Sequence, residues 1–281
     1  MEQFVLNNIP FEKYKGVLMP YIPPDEEIDF SEKDIKSLLK SSGAYFMRWV
    51  SNWDCKNPTK FWYLIRNDRI SLEELSKKTR SKVRRGLRRS IILRVQSEYI
   101  ASNGYDVYQK AFRDYESYEK PLSNEKFKET FMKYENDATS DFWAVFTKEN
   151  RKLIGYSRNI IQNKTCQFST IKFDPQYLRN YYSSEAIFYR MIEYYLNEQN
   201  YKYVSDGARS VYHKSNVQDY LVNKSNFRKA YCKLNVHYSY MISLIVKLLY
   251  PFKNIIKRIN LKGFQKIYVL LIHEEIRKSY E

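Results

Sequence analysis

The alternation of apolar and polar positions divides the chain into strands and helices in an α+β order. Alternating or aromatic-rich runs predict strands at residues 44–50, 61–66, 91–95, 142–146, 152–161, 166–173, 201–204 and 227–237. Helical spacing predicts helices at residues 31–42, 77–89, 99–118, 124–134, 183–196 and 215–222. Turn residues at 54–58 separate the first two strands, so we expect those two to form a hairpin.

The three strands between residues 142 and 173 follow one another with only short turns between them, which predicts an antiparallel meander. A long helix, a strand, a small helix and a final strand follow, with Asp206-Gly207 predicted as a turn and Ser183-Ser184 as the cap of the long helix. We predict four segments: a loosely organised lead-in at 1–40, a half with a basic helix at 41–140, a core at 141–238 and a helical tail at 239–281.

The composition excludes several classes of protein. The chain has 281 residues, of which 43% are hydrophobic and only 7 are Gly, so we expect a folded core rather than disorder. No apolar run reaches the roughly 18–20 residues that a membrane-spanning helix needs, and the first residues do not have the pattern of a secretory signal. The three cysteines are far apart, which favours buried thiols in a reducing cytoplasm over disulfides or structural zinc.

Charge is the most unusual property of the sequence. The chain carries 48 Lys and Arg against 32 Asp and Glu, a formal charge of +16, which favours a polyanionic partner. Eight of these cations and no acid lie at 77–89, where Arg80, Arg84 and Arg88 are one helical turn apart. We expect this helix to bind phosphate; the alternative is a solvated charged face.

Several segments resemble a known superfamily. The meander ends in Ser169-Thr170-Ile171-Lys172-Phe173-Asp174-Pro175 before a loop and a long helix, which resembles the core of the GNAT acyltransferases. The stretch 75–86, and Asp206-Gly207-Ala208-Arg209-Ser210 with 227–229, are similar to segments of the Fem-type branch, which attaches amino acids to peptidoglycan precursors. Similar chains occur in bacterial surface-polysaccharide gene sets. The resemblance, over residues 44–237, implies a mixed, largely antiparallel sheet flanked by helices, with a degenerate second GNAT-like half on the N-terminal side.

The resemblance also implies an activity. The chain would be an N-acyltransferase that uses acyl-CoA or aminoacyl-tRNA as donor and an amine of a phosphorylated or lipid-linked cell-envelope or polysaccharide precursor as acceptor. The superfamily holds acyl-CoA at a Gln/Arg-x-x-Gly-x-Gly/Ala turn, whereas residues 179–184 here contain no glycine, so both donors stay open. Arg179 and the amides of Ser183 and Ser184 are candidates to bind the donor phosphates; the alternative is an ordinary helix start.

Acyl transfer to an amine needs a base, and three residues are candidates. Asp206 and His213 follow a strand, with Arg209 between them as a further phosphate ligand, and Glu185 lies in the first turn of the long helix. Each also has a structural interpretation: a turn for Asp206, a helix cap for His213, and an acid favoured by the helix dipole for Glu185. Three scattered histidines give no support for a metal site.

The tail at 239–281 has two apolar blocks that flank a basic hinge. This pattern predicts either an amphipathic element on anionic lipid, at the inner face of the membrane, or a pair of helices packed onto the domain.

The sequence leaves two other functions open. The chain could be a non-enzymatic RNA-binding module that uses the basic helix, or a membrane-peripheral structural protein.

Overall fold

A computed structural model describes residues 3–113, 120–211, 216–259 and 261–280. The strands are β1 (Gln3–Leu6), β2 (Ile9–Tyr14), β3 (Val17–Pro20), β4 (Phe46–Ser51), β5 (Phe61–Arg66), β6 (Ser90–Val95), β7 (Ser140–Thr147), β8 (Leu153–Gln162), β9 (Thr165–Phe173), β10 (Tyr203–Ala208) and β11 (Arg228–Tyr238). The helices are α1 (Glu32–Ser42), α2 (Lys77–Arg89), α3 (Ser97–Asn103), α4 (Tyr105–Arg113), α5 (Asn124–Met132), α6 (Leu178–Tyr181), α7 (Ser183–Ile192), α8 (Asn216–Ser225), α9 (Tyr240–Leu249), α10 (Lys253–Ile256) and α11 (Lys262–Lys278).

The chain forms two compact units. Unit 1 comprises Met1–Leu64, Ala208–Ser215 and Lys229–Glu281, and unit 2 comprises Ile65–Gly207 and Asn216–Arg228. In unit 1 the strands lie in the order β1-β2-β3-β4-β11-β5, with α1 packed against the first strands. Three of these strands lie within residues 3–20, where the sequence patterns indicated only a loosely organised lead-in. Two-residue turns with positive φ, Asn7-Asn8 and Lys15-Gly16, join them, and such turns match the twist of a hairpin.

The predicted hairpin between the strands at 44–50 and 61–66 is wrong. Both strands form, but β11 lies between them and pairs antiparallel with β4, from Lys233 opposite Ser51 to Tyr238 opposite Phe46. Val50, Phe61 and Cys232 share one core cluster in this arrangement. Turn residues between two strands allow a hairpin, but burial of the apolar face decides which strand becomes the neighbour.

The tail packs in unit 1, as one of the two interpretations predicted. Val246 of α9, Ile256 of α10 and Leu271 of α11 are buried in a common cluster, and Ile276 reaches the cluster of Val50 and Cys232. Glu275 of α11 accepts hydrogen bonds from Lys60 Nζ at 3.0 Å and Lys253 Nζ at 2.5 Å. Among the helices that the structure describes, none has the length and hydrophobicity of a membrane span.

Unit 2 contains the predicted meander. Strands β6, β7, β8 and β9 are antiparallel neighbours, and β10 adds to β9 in the parallel direction. Helices α3, α4 and α5 bury Ile100, Val107 and Phe127 against β7 and β8, whereas α7 contributes its own buried side chains, among them Ile187 and Met191. The mixed, largely antiparallel sheet flanked by helices confirms the predicted α+β class.

Helix α2 coincides with the predicted basic helix. Ser76 caps it, because its Oγ accepts a hydrogen bond from the Thr79 amide at 3.2 Å. The residues that α2 buries are Thr79, Val83 and Gly86, which lie on one narrow face. Since one of the three is glycine, the helix can approach its neighbour closely at that point.

Candidate active site at the ends of strands β9 and β10

The parallel strands β9 and β10 pair over only part of their length. The register runs from Tyr203 opposite Thr165 to Ser205 opposite Gln167, although β9 continues to Phe173. At the next positions of β10, Gly207 has a φ of +82° and its amide donates to Ser205 Oγ at 2.9 Å. The Gly207 amide bonds to a side chain of its own strand, and the positive φ bends the backbone there, so the pairing with β9 ends at Ser205.

Asp206 lies where the pairing stops. The predicted turn at Asp206-Gly207 is wrong, because both residues belong to β10. Only Gly207 has the positive φ that is typical of a turn residue. The Asp206 side chain is half-buried, and burial raises its pKa to about 7, with a hydrogen bond from Gln218 of α8 opposing part of the change. The described residues give this carboxyl no cationic partner, so it can exchange a proton near neutral pH.

The first turn of α7 comes after β9 in the chain, beyond α6. Its N-cap is Tyr182, in the left-handed conformation with φ 51° and ψ 41°, and no side chain caps the helix. The predicted cap at Ser183-Ser184 is therefore wrong, because these residues are already helical; Ser183 is buried, and its Oγ is 3.5 Å from the Tyr177 carbonyl. The first amides of a helix have no intrahelical acceptor, so an uncapped start favours an anionic ligand.

The carboxylate of Glu185, the second acidic candidate, already has two hydrogen-bond donors. This buried carboxylate accepts a hydrogen bond from Lys82 Nζ of α2 at 3.1 Å and another from Ser184 Oγ at 2.8 Å. Across from it, burial and the charge of Glu185 raise the pKa of Tyr220 on α8, and the ring of Tyr220 lies 5.8 Å from that of Phe188. Helix α8 therefore contacts both the Asp206 carboxyl, through Gln218, and Phe188 of α7, through Tyr220.

Helix α2 crosses the loop that leads into α7. A Cβ atom at Gly86 would lie 2.6 Å from the Tyr182 carbonyl oxygen and 2.8 Å from Ala186 Cβ, so only glycine permits this approach. Lys82 and Arg85 lie over the Tyr182 ring, at 5.3 and 5.5 Å from its centroid, and Arg89 lies over Tyr181 at 5.9 Å. Cation–π contacts thus hold three positive charges around the start of α7.

The three predicted arginines share the other face of α2. An open depression of about 440 Å³ is lined by Lys77, Arg80, Ser81, Arg84, Arg85 and Arg88. Arg84 Nη2 is 3.8 Å from an exposed carboxylate of Glu73, a separation at which an exposed pair contributes little. We did not predict Lys82, Arg85 and Arg89 as site residues, although their i, i+3, i+7 spacing and the neighbouring Gly86 indicate a second face. Arg85 lies at the border of the two faces, because it also lines the depression.

The structure does not gather every predicted site residue. Arg179 is exposed on α6. Arg209 belongs to unit 1, where its Nη1 donates to the Lys60 carbonyl at 2.5 Å and its amide to the Trp62 carbonyl at 2.8 Å. His213 lies outside the described residues.

Metal chemistry would need a cluster of metal-binding side chains, and thiol chemistry a reactive cysteine, in the described part of the chain. There, no group of three or more His, Cys, Asp or Glu side chains is placed to hold a metal ion. Cys166 and Cys232 are buried, as predicted, and burial raises the pKa of Cys232 to about 12. A thiol that stays protonated at neutral pH is a poor nucleophile.

Comparisons with known proteins bear on the fold. Neither a protein family model nor a curated protein sequence matches the chain. Among solved structures, it is similar to FemX, with a TM-score of 0.56 at 10% identity, over 86% of this chain and 86% of that one. It is also similar to L-PGS from Bacillus licheniformis (TM-score 0.49, 12% identity, 94% and 85% covered), and to a variant of the spermidine N-acetyltransferase SpeG from Vibrio cholerae (0.32, 18%, 41% and 66%). The similarity to FemX shows that the chain shares the FemX fold, as the resemblance of the sequence to the Fem-type branch implied.

Proposed function

We propose that the chain is an N-acyltransferase that moves an acyl or aminoacyl group from an activated donor to an amine. The observation that carries this proposal is the position of Asp206, a carboxyl group with a pKa of about 7 at the point where β9 and β10 stop pairing. The fold shared with FemX, and the resemblance to the Fem-type branch in the sequence, support the same reaction class.

The reaction needs one proton acceptor. The amine nitrogen attacks the carbonyl carbon of the donor ester or thioester, a C–N bond forms, and the C–O or C–S bond to the donor breaks. The nitrogen loses a proton to the Asp206 carboxylate, and the departing oxygen or sulfur leaves with the donor electron pair and is protonated to an alcohol or thiol. A base whose pKa is close to the working pH is partly ionised and still basic enough to take the proton.

The donor phosphates would meet two groups of positive charge. The uncapped amides at Ser183 and Ser184 follow Tyr182, and the guanidinium of Arg85 lies over the Tyr182 ring, which suits a single phosphate or pyrophosphate. The row from Lys77 to Arg88 on α2 extends over about 16 Å, because eleven residues separate its ends. A row of this length suits successive phosphates along a nucleic-acid strand, which favours aminoacyl-tRNA over acyl-CoA as the donor.

The acceptor is an amine on a phosphorylated or lipid-linked precursor of the cell envelope or of a surface polysaccharide. This part of the proposal comes from the resemblance to the Fem-type branch. A base suited to neutral pH supports an amine acceptor in particular, since the attacking amine nitrogen must lose a proton for the neutral amide to form.

Product formation tests the proposal. The purified chain is incubated with charged tRNAs or acyl-CoAs, with aminosugar nucleotides or peptidoglycan precursor peptides as acceptors, and amide products are detected by mass spectrometry. We expect an amide product that the Asp206→Asn variant forms at least about 100-fold more slowly. The proposal is wrong if no donor and acceptor pair gives an amide, or if the variant is as fast as the wild type.

The cation row of α2 also favours a second candidate, an RNA-binding module without catalysis. The same experiment separates the two. Binding of uncharged and charged tRNA with equal affinity, and no release of the aminoacyl group in the presence of any acceptor amine, would favour the binding module.

A further inference from the structure

Helix α9 is apolar on both of its faces. Val246 is buried in the cluster with Ile256 and Leu271, as expected for a helix packed in unit 1. The opposite stripe, at i, i+3, i+4 and i+7, is exposed and consists of Met241 (66% exposed), Leu244 (40%), Ile245 (36%) and Leu248 (70%). A helix that is hydrophobic all round normally has both faces covered, so the exposed stripe lacks its partner among the described residues.

The exposed apolar side chains continue beyond α9. The elements that follow, a short turn, α10 and α11, pack around the same small core as α9. We name the exposed set the tail face; it consists of Tyr240, Met241, Leu244, Ile245, Leu248, Phe252, Ile255, Leu261 and Phe264. The four side chains of the α9 stripe share one helix face, and five more large apolar side chains are exposed within the same 25 residues, a density that indicates an interaction surface.

The charges of the tail face have one sign. Residues 239–266 contain six Lys or Arg and no Asp or Glu. Lys247, Lys257, Arg258 and Lys266 are exposed, whereas Lys253 is paired with Glu275. An apolar surface with four exposed cations, next to which Glu275 is already paired with Lys253, complements an anionic partner.

We propose that the tail face docks on the surface of an anionic lipid bilayer, with its aliphatic and aromatic side chains in the headgroup and upper acyl region. The lysines and Arg258 would lie at the level of the lipid phosphates. A second copy of the chain fits the face less well, because six cations on each copy would repel one another. A folded protein partner would need its own acidic rim around an apolar centre, whereas anionic lipid supplies both features over any area.

Sedimentation with vesicles tests the proposal and does not depend on the transfer reaction. The full chain is mixed with vesicles of phosphatidylcholine alone, or of equal parts phosphatidylcholine and phosphatidylglycerol, and the bound fraction is measured. We expect binding to the anionic vesicles only, and a decrease as salt is raised.

Two variants separate the apolar and the charged contributions. Leu244→Gln/Leu248→Gln should weaken binding by about tenfold or more, because both side chains leave water when the face docks. Lys247→Gln/Lys257→Gln/Arg258→Gln should weaken it on the order of a hundredfold, at about fivefold per cation removed. All five positions are exposed, so we expect unchanged circular dichroism and thermal midpoints.

Matched controls lie elsewhere on the chain. Leu93→Gln/Leu122→Gln changes two other exposed leucines, and Lys126→Gln/Lys128→Gln/Lys133→Gln removes three other exposed cations. The proposal requires that both controls bind like the wild type. It is overturned if the wild type does not bind anionic vesicles, if controls and tail-face variants lose binding equally, or if light scattering gives a dimer that Leu244→Gln/Leu248→Gln converts to a monomer.

Discussion

Lys82 of α2 and Glu185 of α7 form an ion pair, with 3.1 Å between Nζ and Oε1, in which the carboxylate is buried. The pair joins the basic helix to the first turn of the helix proposed to hold the donor. The ion pair also distinguishes the two acids, Glu185 and Asp206, that the sequence offered as candidates for the catalytic base. Glu185 neutralises a cation, whereas Asp206 has no cationic partner among the described residues and a pKa raised to about 7.

A double-mutant cycle on this pair measures the connection between the two helices. We expect Lys82→Met and Glu185→Gln each to lower the free energy of unfolding, with a coupling energy of about 1 kcal/mol, because Glu185 is buried but Lys82 is partly solvated. Urea unfolding provides the measurement. The exposed pair Lys36–Glu32 is the control and should show a smaller coupling. Equal coupling in the two pairs would contradict a structural role for Lys82.

The approach of α2 to α7 depends on Gly86. Gly86→Val should lower the free energy of unfolding by about 1–3 kcal/mol, because its Cβ would meet the Tyr182 carbonyl oxygen and Ala186 Cβ below 3 Å. Thermal unfolding checks this change. Gly263→Ala in α11 is the matched control: a Cβ there has open space, so we expect a gain of up to about 1 kcal/mol. A tolerated valine at position 86 would mean that the two helices are not packed as described.

The sequence predicted the meander, the basic helix and the helix after the meander, because each depends on local periodicity. It could not predict that β11 lies between β4 and β5, since a pairing between distant segments is decided by burial of a shared face. The strands at residues 3–20 were not predicted, because their apolar pattern does not distinguish them from a loop. The turn residues Asn7-Asn8 and Lys15-Gly16 are the only sign of these hairpins in the sequence.

The candidate site was predicted in part for the same reason. Asp206 was a candidate base because it follows a strand within a segment that resembles the Fem-type branch. Its raised pKa comes from burial, which the hydrogen bond from Gln218 of α8 opposes, and no spacing in the sequence reveals these surroundings. The arginines at i, i+4 and i+8 of α2 could be found from helical geometry. The inward face of the same helix could not, because it depends on where Tyr181 and Tyr182 lie.

The pKa of Asp206 makes stability depend on pH. Its folded-state pKa of about 7 lies above the ordinary value of 3.8, so the folded state binds the proton more tightly. The wild type should therefore lose stability as pH rises from about 4 to about 7, with the full penalty present above that range. The Asp206→Asn variant lacks this penalty, so its free energy of unfolding at pH 8 should exceed that of the wild type by up to about 4 kcal/mol.

Chemical denaturation at a series of pH values checks this prediction. The two proteins should have the same stability near pH 4 and diverge as pH rises. A variant less stable than the wild type at pH 8 would show that the Asp206 carboxylate is stabilised in the folded state, contrary to the raised pKa.

The outward arginines of α2 should set the salt dependence of donor binding. Arg80→Gln/Arg84→Gln/Arg88→Gln should weaken the binding of tRNA and reduce the slope of log affinity against log salt by about 0.7–0.9 for each phosphate that is no longer neutralised. Fluorescence titration at several salt concentrations gives the slope. Lys126→Gln/Lys128→Gln/Lys133→Gln, at α5 and its C-terminal end, removes the same charge from another exposed surface and should change the slope little. An equal effect of both triple variants would mean that the α2 arginines act only through the net charge of the protein, which would contradict direct contact with phosphates.

The central claim is that Asp206 takes the proton of the amine, and the pH dependence of single-turnover amide formation tests it most directly. For the wild type we predict a rate that falls about tenfold per pH unit below an apparent pKa of about 7. Gln218→Leu removes the hydrogen bond that lowers this pKa and should move the decline to higher pH. Glu185→Gln should keep it, and Asp206→Asn should abolish it. A decline that persists unchanged in Asp206→Asn would contradict the account.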